Sequence, residues 1–234
     1  MLFYETKFWQ HYGLFSKIVK QSSMRSTVDG YVYYQLVKEF NFINFLEIGF
    51  FEGQTCGLLA EISDPLAVID AVDPSADLSI FKQIYSEQSN KINLWNCASQ
   101  SFEFKKKYDC IIVDGDKSYE SITIDIRNSL NSLAPHGVLL INEYQLDSVQ
   151  QAINEIVVKF GLIPFLKTDQ TLFFHRPEDL RCDFLDYKIS HKVNNFINFY
   201  NEEINGHMVL MVKTLPIFTD RLDFFDAALK EYNI

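Results

Sequence analysis

The spacing of apolar residues changes along the chain and predicts three regions. In the first 40 residues, apolar positions recur every three to four residues, which is typical of amphipathic helices. Further along, short β-branched and apolar runs alternate with helix-like segments, as in a parallel sheet with helices on both faces. The predicted strands cover residues 43–49, 66–73, 91–97, 108–116, 137–144, 162–167 and 171–176, and the predicted helices between them cover 54–62, 77–89 and 118–133.

This alternation predicts an α/β protein with a Rossmann-like, doubly wound sheet of seven strands, mostly parallel. Only residues 168–170 separate the last two strands, and so short a link favours an antiparallel hairpin at the sheet edge. The rhythm then breaks, and the remaining chain is predicted to be a helical extension. We therefore expect an N-terminal helical cover at 1–40, a ligand-binding core at 41–177, and an extension at 178–234 that acts as a lid or an oligomer contact.

Composition and charge restrict the classes of function. Hydrophobic residues make up 47% of the 234 residues and charged residues 22%, as in a globular domain. The net charge is -10, so general attraction to nucleic acid is not expected, because phosphate binding requires a positive surface. No segment has the about 18 uncharged apolar residues of a membrane span, and no signal peptide is recognised. The four cysteines lack metal-finger spacing, and we expect a cytoplasmic protein with reduced thiols.

Three of the nine glycines fall within nine residues, directly after the first predicted strand of the sheet. In an open α/β sheet, glycine at this place lets the backbone approach a ligand closely. The spacing of Gly49, Gly53 and Gly57 fits neither the dinucleotide nor the P-loop pattern. Glu47 and Glu52 would also repel a phosphate group from the following helix N-terminus. The loop therefore favours a ligand that carries positive charge and no phosphate, such as S-adenosylmethionine with its sulfonium and ammonium groups.

The segment FLEIGFFEGQT at 45–55 resembles the E-x-G-x-x-x-G signature of class I S-adenosylmethionine-dependent methyltransferases. Three further segments follow in the order of that family: Asp73 in AVDP, NCASQ at 96–100, and the block VDGDKSYE to NEY at 113–144. The last block is similar to that of the small-molecule O-methyltransferases of the macrocin and catechol types. The resemblance covers roughly residues 25–176.

The resemblance implies a role in cofactor binding for each matching residue. Asp73 would accept hydrogen bonds from both ribose hydroxyls, as a carboxylate can. Glu47 would lie near the methionyl end, and Ser99 and Gln100 near the adenine. Structural roles are the alternative, since Asp73 could cap a helix and the glycines could form a tight turn. The implied cofactor-binding residues are Glu47, Gly49, Gly53, Asp73, Ser99, Gln100 and Asp114.

The catalytic part of the block departs from the family. Members with a divalent metal take ligands from an aspartate after the fourth strand and from a D-D or D-N pair after the fifth. Here Asp114 is kept, but the pair is Asn142 and Glu143. All three side chains offer oxygen, which suits Mg²⁺ or another hard divalent ion, although Mg²⁺ requires near-octahedral geometry. Lys117 stands where the catechol enzymes have a lysine proposed to take the substrate proton, and the alternative is a solvated loop lysine.

The resemblance thus implies methyl transfer from S-adenosylmethionine to a hydroxyl of a small molecule. Asp114 and Lys117 would be the catalytic residues, with metal assistance at Asp114, Asn142 and Glu143. Two alternatives remain open: a catalytically inactive S-adenosylmethionine-binding protein, and an aminopropyl-type transferase on the same scaffold. We expect a small-molecule acceptor, neither nucleic acid nor membrane as partner, and a homodimer as the default assembly.

Overall fold

The structure is a computed structural model that describes residues 27–51, 53–76, 78–79, 82, 89–179 and 197–214. Its helices and strands, in chain order, are α1 Thr27–Phe40, β1 Asn44–Ile48, α2 Gln54–Ile62, β2 Val68–Val72, β3 Ile92–Trp95, β4 Tyr108–Val113, α3 Tyr119–Ser132, β5 Leu133–Asn142, α4 Asp147–Ala152, β6 Ile163–Lys167, β7 Thr171–His175, β8 Ile197–Ile204 and β9 His207–Thr214. A π-helical turn, Ile153–Val157, continues α4. None of the described helices has the length and apolar character needed to cross a membrane.

All nine strands of the described residues belong to one sheet, in the order β3-β2-β1-β4-β5-β7-β6-β9-β8. The five strands from β3 to β5 are parallel, whereas β7 runs antiparallel to both β5 and β6. The strand order reverses between β1 and β4. In open α/β sheets, ligands bind beside such a reversal, at the carboxyl ends of the strands.

Alternating side chains of the strands point to two hydrophobic cores, one on each face of the sheet. Phe45 of β1 and Ile112 of β4 belong to the core that α1 and α2 cover. Leu46 of β1 and Ile111 of β4 belong to the core that α3 and α4 cover. Because both faces are buried, the central strands read as continuous apolar runs in the sequence.

The predicted doubly wound fold is confirmed, and so are α1 and the antiparallel hairpin of β6 and β7. Among the described residues the strand count is corrected from seven to nine, and the predicted helical extension is wrong for residues 197–214. These residues form a second hairpin, in which β9 pairs parallel with β6. The first predicted N-terminal helix and the rest of the extension lie outside the described residues, as does most of the helix predicted at 77–89.

A local signal for the second hairpin was present in the sequence. Asn205 and Gly206 form its two-residue turn, with φ angles of 52° and 79°. An Asn-Gly pair with two positive φ angles is typical of a tight hairpin turn, because its twist matches that of the flanking strands. The turn sets the register so that Ile204 lies opposite His207.

Candidate active site

An open cavity of about 870 Å³ lies at the carboxyl ends of β1, β2, β4 and β5, where the strand order reverses. Gly53 does not line the cavity; it precedes α2 with a φ of 78° and shapes the turn. The cavity brings together the other predicted site residues, which are Glu47, Gly49, Asp73, Ser99, Gln100, Asp114, Lys117, Asn142 and Glu143.

Gly49 allows two loops of the cavity to touch. Its φ is 96°, and a Cβ at this position would lie 2.4 Å from the carbonyl oxygen of Asp114. The Gly49 amide donates to the Val72 carbonyl at 2.9 Å, and the Asp114 amide donates to the Ile48 carbonyl at 2.8 Å. Only glycine combines this backbone conformation with so close an approach. The loops after β1 and β4 therefore form one continuous cavity wall.

The Asp73 carboxylate organises the glycine loop. Its Oδ2 accepts hydrogen bonds from the backbone amides of Phe50 and Phe51, each at 2.9 Å. Its Oδ1 accepts from the Ser75 amide at 2.7 Å, so the structural role considered for this residue is present. A carboxylate offers about four acceptor positions. Asp73 can therefore hold the loop and still accept a hydrogen bond from a ligand in the cavity.

Glu47 places a buried carboxylate at the base of the cavity. The residue is only 2% exposed and lies on β1, on the face covered by α2. The thiol of Cys56 on α2 donates to its Oε2 at 2.7 Å.

The neighbouring Cys110 is fully buried. Burial, together with the charges of Asp109 and Glu47, raises the pKa of its thiol. Cys110 is therefore an inert core thiol.

Asp125 of α3 is a cavity residue that sequence reasoning missed. It is 3% exposed, and the Ser99 hydroxyl donates to its carboxylate. Burial raises the pKa of Asp125, and the Ser99 hydrogen bond and the Lys117 charge only partly offset this effect. The sequence did contain a signal for this residue. Asp125 precedes Ile126 on the buried face of α3, and a carboxylate on an apolar helix face requires a polar partner.

A second group of polar side chains surrounds Asp114. Its Oδ1 accepts from the Lys117 ammonium at 2.9 Å and from Nδ2 of Asn142 at 2.6 Å. Oδ1 of Asn142 accepts from the Thr171 hydroxyl at 3.2 Å. The Lys117 ammonium also lies 4.0 Å from Oε2 of Glu143, a residue whose backbone is held at a φ of 53°. Strained backbone of this kind concentrates at functional sites.

The predicted metal ligands do not fit a divalent metal in this arrangement. Asn142 turns its N–H group, not its oxygen, toward Asp114, and an ammonium group already contacts the aspartate. In the described part of the chain, no group of three or more His, Cys, Asp or Glu side chains could hold a metal. The three oxygen ligands expected from Asp114, Asn142 and Glu143 are therefore not presented together.

The charges around the cavity favour a positively charged ligand. Lys117 is the single cationic side chain among the described residues that line it. Clefts lined by one sign of charge concentrate ligands of the opposite sign. The carboxylates around the cavity come from Glu47, Asp73, Asp114, Asp116, Asp125 and Glu143.

Three further lining residues come from elements that contain no part of the predicted motifs. Gly30 and Tyr33 lie on α1, and Gln170 lies in the turn between β6 and β7. A hydrogen bond from the Thr168 hydroxyl to the buried carboxylate of Asp29 ties that turn to the start of α1. No local motif marks these residues, because they reach the cavity only through tertiary packing.

The sheet order, the glycine loop and the acidic cavity together define the fold of a class I S-adenosylmethionine-dependent methyltransferase, which confirms the resemblance. A family model described as "Methyltransferase domain" matches residues 46–144. The match begins in β1 and ends directly after Glu143, so it contains the cavity-lining ends of β1, β2, β4 and β5. No curated protein matches the sequence.

Solved structures, two of which are described as methyltransferases, share the fold at low sequence identity. The O-methyltransferase from Bacillus cereus in complex with SAH has a TM-score of 0.54 and 14% identity, covering 73% of this chain and 91% of that one. Cofactor-bound Rv0187 from MTB has a TM-score of 0.58 and 12% identity, covering 73% and 89%. Precorrin-6y C5,15-methyltransferase from Geobacter metallireducens has a TM-score of 0.54 and 12% identity, covering 67% and 91%. These likenesses concern the fold.

Proposed function

We propose that this protein transfers the methyl group of S-adenosylmethionine to a hydroxyl group of a small molecule. The observation that carries the proposal is the single acidic cavity in which the residues of four separate sequence motifs meet. In the proposed complex, Glu47 lies at the methionyl end of the cofactor, Asp73 at the ribose, and Ser99 with Gln100 at the adenine. The carboxylates of Glu47 and Asp73 supply acceptors for the ammonium group and the ribose hydroxyls of the cofactor.

The acceptor would occupy the part of the cavity around Asp114 and Lys117, with Tyr33 and Gln170 as its outer wall. Its oxygen attacks the methyl carbon, the carbon–sulfur bond breaks, and S-adenosylhomocysteine leaves without the sulfonium charge. The hydroxyl proton is released to water. The contribution of the protein is mainly alignment of oxygen, carbon and sulfur, which supplies at most about 7–11 kcal/mol. A small acceptor fits the charge of the chain, since a net charge of -10 disfavours a polyanionic partner.

Calorimetric titration with S-adenosylhomocysteine tests the cofactor part of the proposal. We expect micromolar affinity, about -8 kcal/mol, and a loss of at least tenfold in Asp73→Ala. Asp109→Ala is the matched control, because the Asp109 carboxylate also accepts two backbone amides, those of Ile43 and Asn44, but at the opposite end of the sheet. Its affinity should stay that of the wild type. Absence of binding to the folded wild-type protein would overturn the proposal.

Product analysis separates methyl transfer from the two alternatives. The protein is incubated with S-adenosylmethionine and its decarboxylated form, together with phenolic and sugar hydroxyl acceptors. Release of S-adenosylhomocysteine with a methylated acceptor supports the proposal, whereas methylthioadenosine identifies aminopropyl transfer. Tight cofactor binding without any product from this panel favours a binding protein that has lost catalysis.

A further inference from the structure

The group around Asp114 already contains a cation, and that cation belongs to the chain. We infer that the Lys117 ammonium takes the place of a divalent metal, so that the acceptor oxygen is stabilised by Lys117 and the reaction is independent of metal. The inference rests on the proposed methyl transfer, because it assigns the group that meets the acceptor oxygen. Its support comes from three features of this site.

The first feature is the crowding of Asp114 Oδ1, the carboxylate oxygen that faces Asn142, one of the predicted metal ligands. This atom accepts two hydrogen bonds, from Lys117 Nζ at 2.9 Å and from Asn142 Nδ2 at 2.6 Å. A metal bound to the same oxygen would have to displace one of these donors. A divalent ion beside the ammonium would also be repelled by its charge.

The second feature is the fixed orientation of Asn142. The residue is 5% exposed, and its Oδ1 accepts from the hydroxyl of the fully buried Thr171. Reversal of the amide would place its oxygen 2.6 Å from Asp114 Oδ1, where two acceptor atoms repel each other. In this structure Asn142 therefore acts as a hydrogen-bond donor to Asp114 and directs its oxygen to Thr171.

The third feature is the position of Lys117. Its side chain is 14% exposed and lines the cavity, and the Ser148 hydroxyl donates to its backbone carbonyl at 2.7 Å. The ammonium donates to Asp114, while Glu143 at 4.0 Å lies beyond hydrogen-bond distance. An ammonium carries three N–H donors, so donors remain for an oxygen in the cavity.

In the proposed reaction, Lys117 takes no proton from the acceptor. The acceptor O–H bond breaks, its proton passes to water in the open cavity, and the negative charge that develops on oxygen is stabilised by the ammonium. The oxygen–methyl bond forms as the carbon–sulfur bond of the cofactor breaks. Lys117 thus performs the electrostatic task that a bound metal performs in other active sites.

Binding of Mn²⁺ alone tests the inference without any knowledge of the acceptor. We expect that electron paramagnetic resonance of the wild-type protein detects no Mn²⁺ bound at micromolar concentration. The double variant Lys117→Met/Asn142→Asp, which removes the ammonium and supplies a carboxylate, should bind Mn²⁺ at least tenfold more tightly. Micromolar binding to the wild type that is lost in Asp114→Asn would overturn the inference.

Turnover provides the second measurement, once a substrate is identified by release of S-adenosylhomocysteine. Excess EDTA should leave the rate unchanged, Lys117→Met should lower kcat at least 100-fold, and Lys117→Arg should recover part of the loss. The control is Lys107→Met, because that lysine bonds the Asn131 carbonyl at the surface, outside the cavity. A rate abolished by EDTA and restored by Mg²⁺ contradicts the inference. S-adenosylhomocysteine affinity, measured in each variant, reports separately on the proposed function.

Discussion

At the scale of single residues, Gly49 has no space for a side chain. An added methyl group would overlap the Asp114 carbonyl at 2.4 Å and the Gly115 amide nitrogen at 2.7 Å, and both are backbone atoms that cannot turn away. The positive φ adds conformational strain for any other residue. The two effects act on the same contact between the loops after β1 and β4.

We therefore expect Gly49→Ala to lower the free energy of unfolding by about 3 kcal/mol or more, from steric overlap and backbone strain combined. Urea denaturation followed by circular dichroism measures the change. Gly161→Ala is the matched control, because Gly161 has a φ of +72° but no atom within 4 Å of its Cβ position. It should lose only about 1 kcal/mol. Equal losses in the two variants would show that conformation alone matters at Gly49.

Residue-level prediction from the sequence succeeded where a residue follows a buried strand. Asp73, Asp114 and Asn142 fall at or directly after the ends of β2, β4 and β5, and strand ends are visible as the ends of apolar runs. It failed for Asp125 and Gln170, because their places in the cavity depend on how α3 and the β6–β7 turn pack. The sequence also predicted Asn142 as a metal ligand, because its amide offers an oxygen. The orientation of an amide, however, is set by neighbours such as Thr171.

At the scale of elements, a buried carboxylate joins three strands away from the cavity. Asp70 of β2 is 4% exposed and accepts from Asn93 of β3 at 2.9 Å, from the hydroxyl of Tyr108 at 2.8 Å, and from Lys106 at 2.8 Å. Burial by itself would raise the pKa of Asp70, but the hydrogen bonds from Lys106, Asn93 and Tyr108 outweigh it and lower the pKa.

A lowered pKa makes the fold depend on the charge of Asp70. The stabilisation is present above the pKa of an unfolded aspartate, about 3.9, and it is lost as the pH falls through the lower folded-state pKa. Asp70→Asn should therefore cost about 2 kcal/mol at pH 7, and its difference from the wild type should shrink in acid. Urea denaturation at several pH values measures this, with the exposed Asp169→Asn as control. A pH-independent difference would contradict the linkage.

Elements were predictable to the extent that they are locally encoded. The bounds of α2 agree with the prediction, and β1 and β4 lie within the predicted apolar runs. The β8–β9 hairpin was missed despite its Asn-Gly turn, and its junction with the sheet, which consists of the residue pairs Leu166 with Leu210 and Lys167 with Met211, could not be predicted. A partner so distant in sequence leaves no local pattern. An ion pair from Lys167 to Glu202 then secures the outer strand.

At the scale of the whole molecule, the pairing of the strands predicts that local stability falls from the centre of the sheet to its edges. β1 is paired on both sides and lies between two cores, whereas β8 pairs only with β9 among the described strands. Hydrogen exchange measured by mass spectrometry should therefore be slowest in β1 and β4 and much faster in β8. Added S-adenosylhomocysteine should slow exchange at 49–51 and 98–100 but not in β8. Protection of β8 alone by the cofactor would contradict the placement of the binding site.

The two edge strands of the sheet affect how readily copies of the protein associate in a crowded solution. Unpaired strand edges can template lateral growth into fibrils, and short or charged edges oppose it. In the described part of the chain, one edge is β3, with only four residues, and the other is β8, which carries Glu202 and Glu203. The exposed Glu203 of this strand, on a chain of net charge -10, opposes pairing with the same strand of a second copy. The hairpin thus gives the sheet a terminus that resists polymerisation.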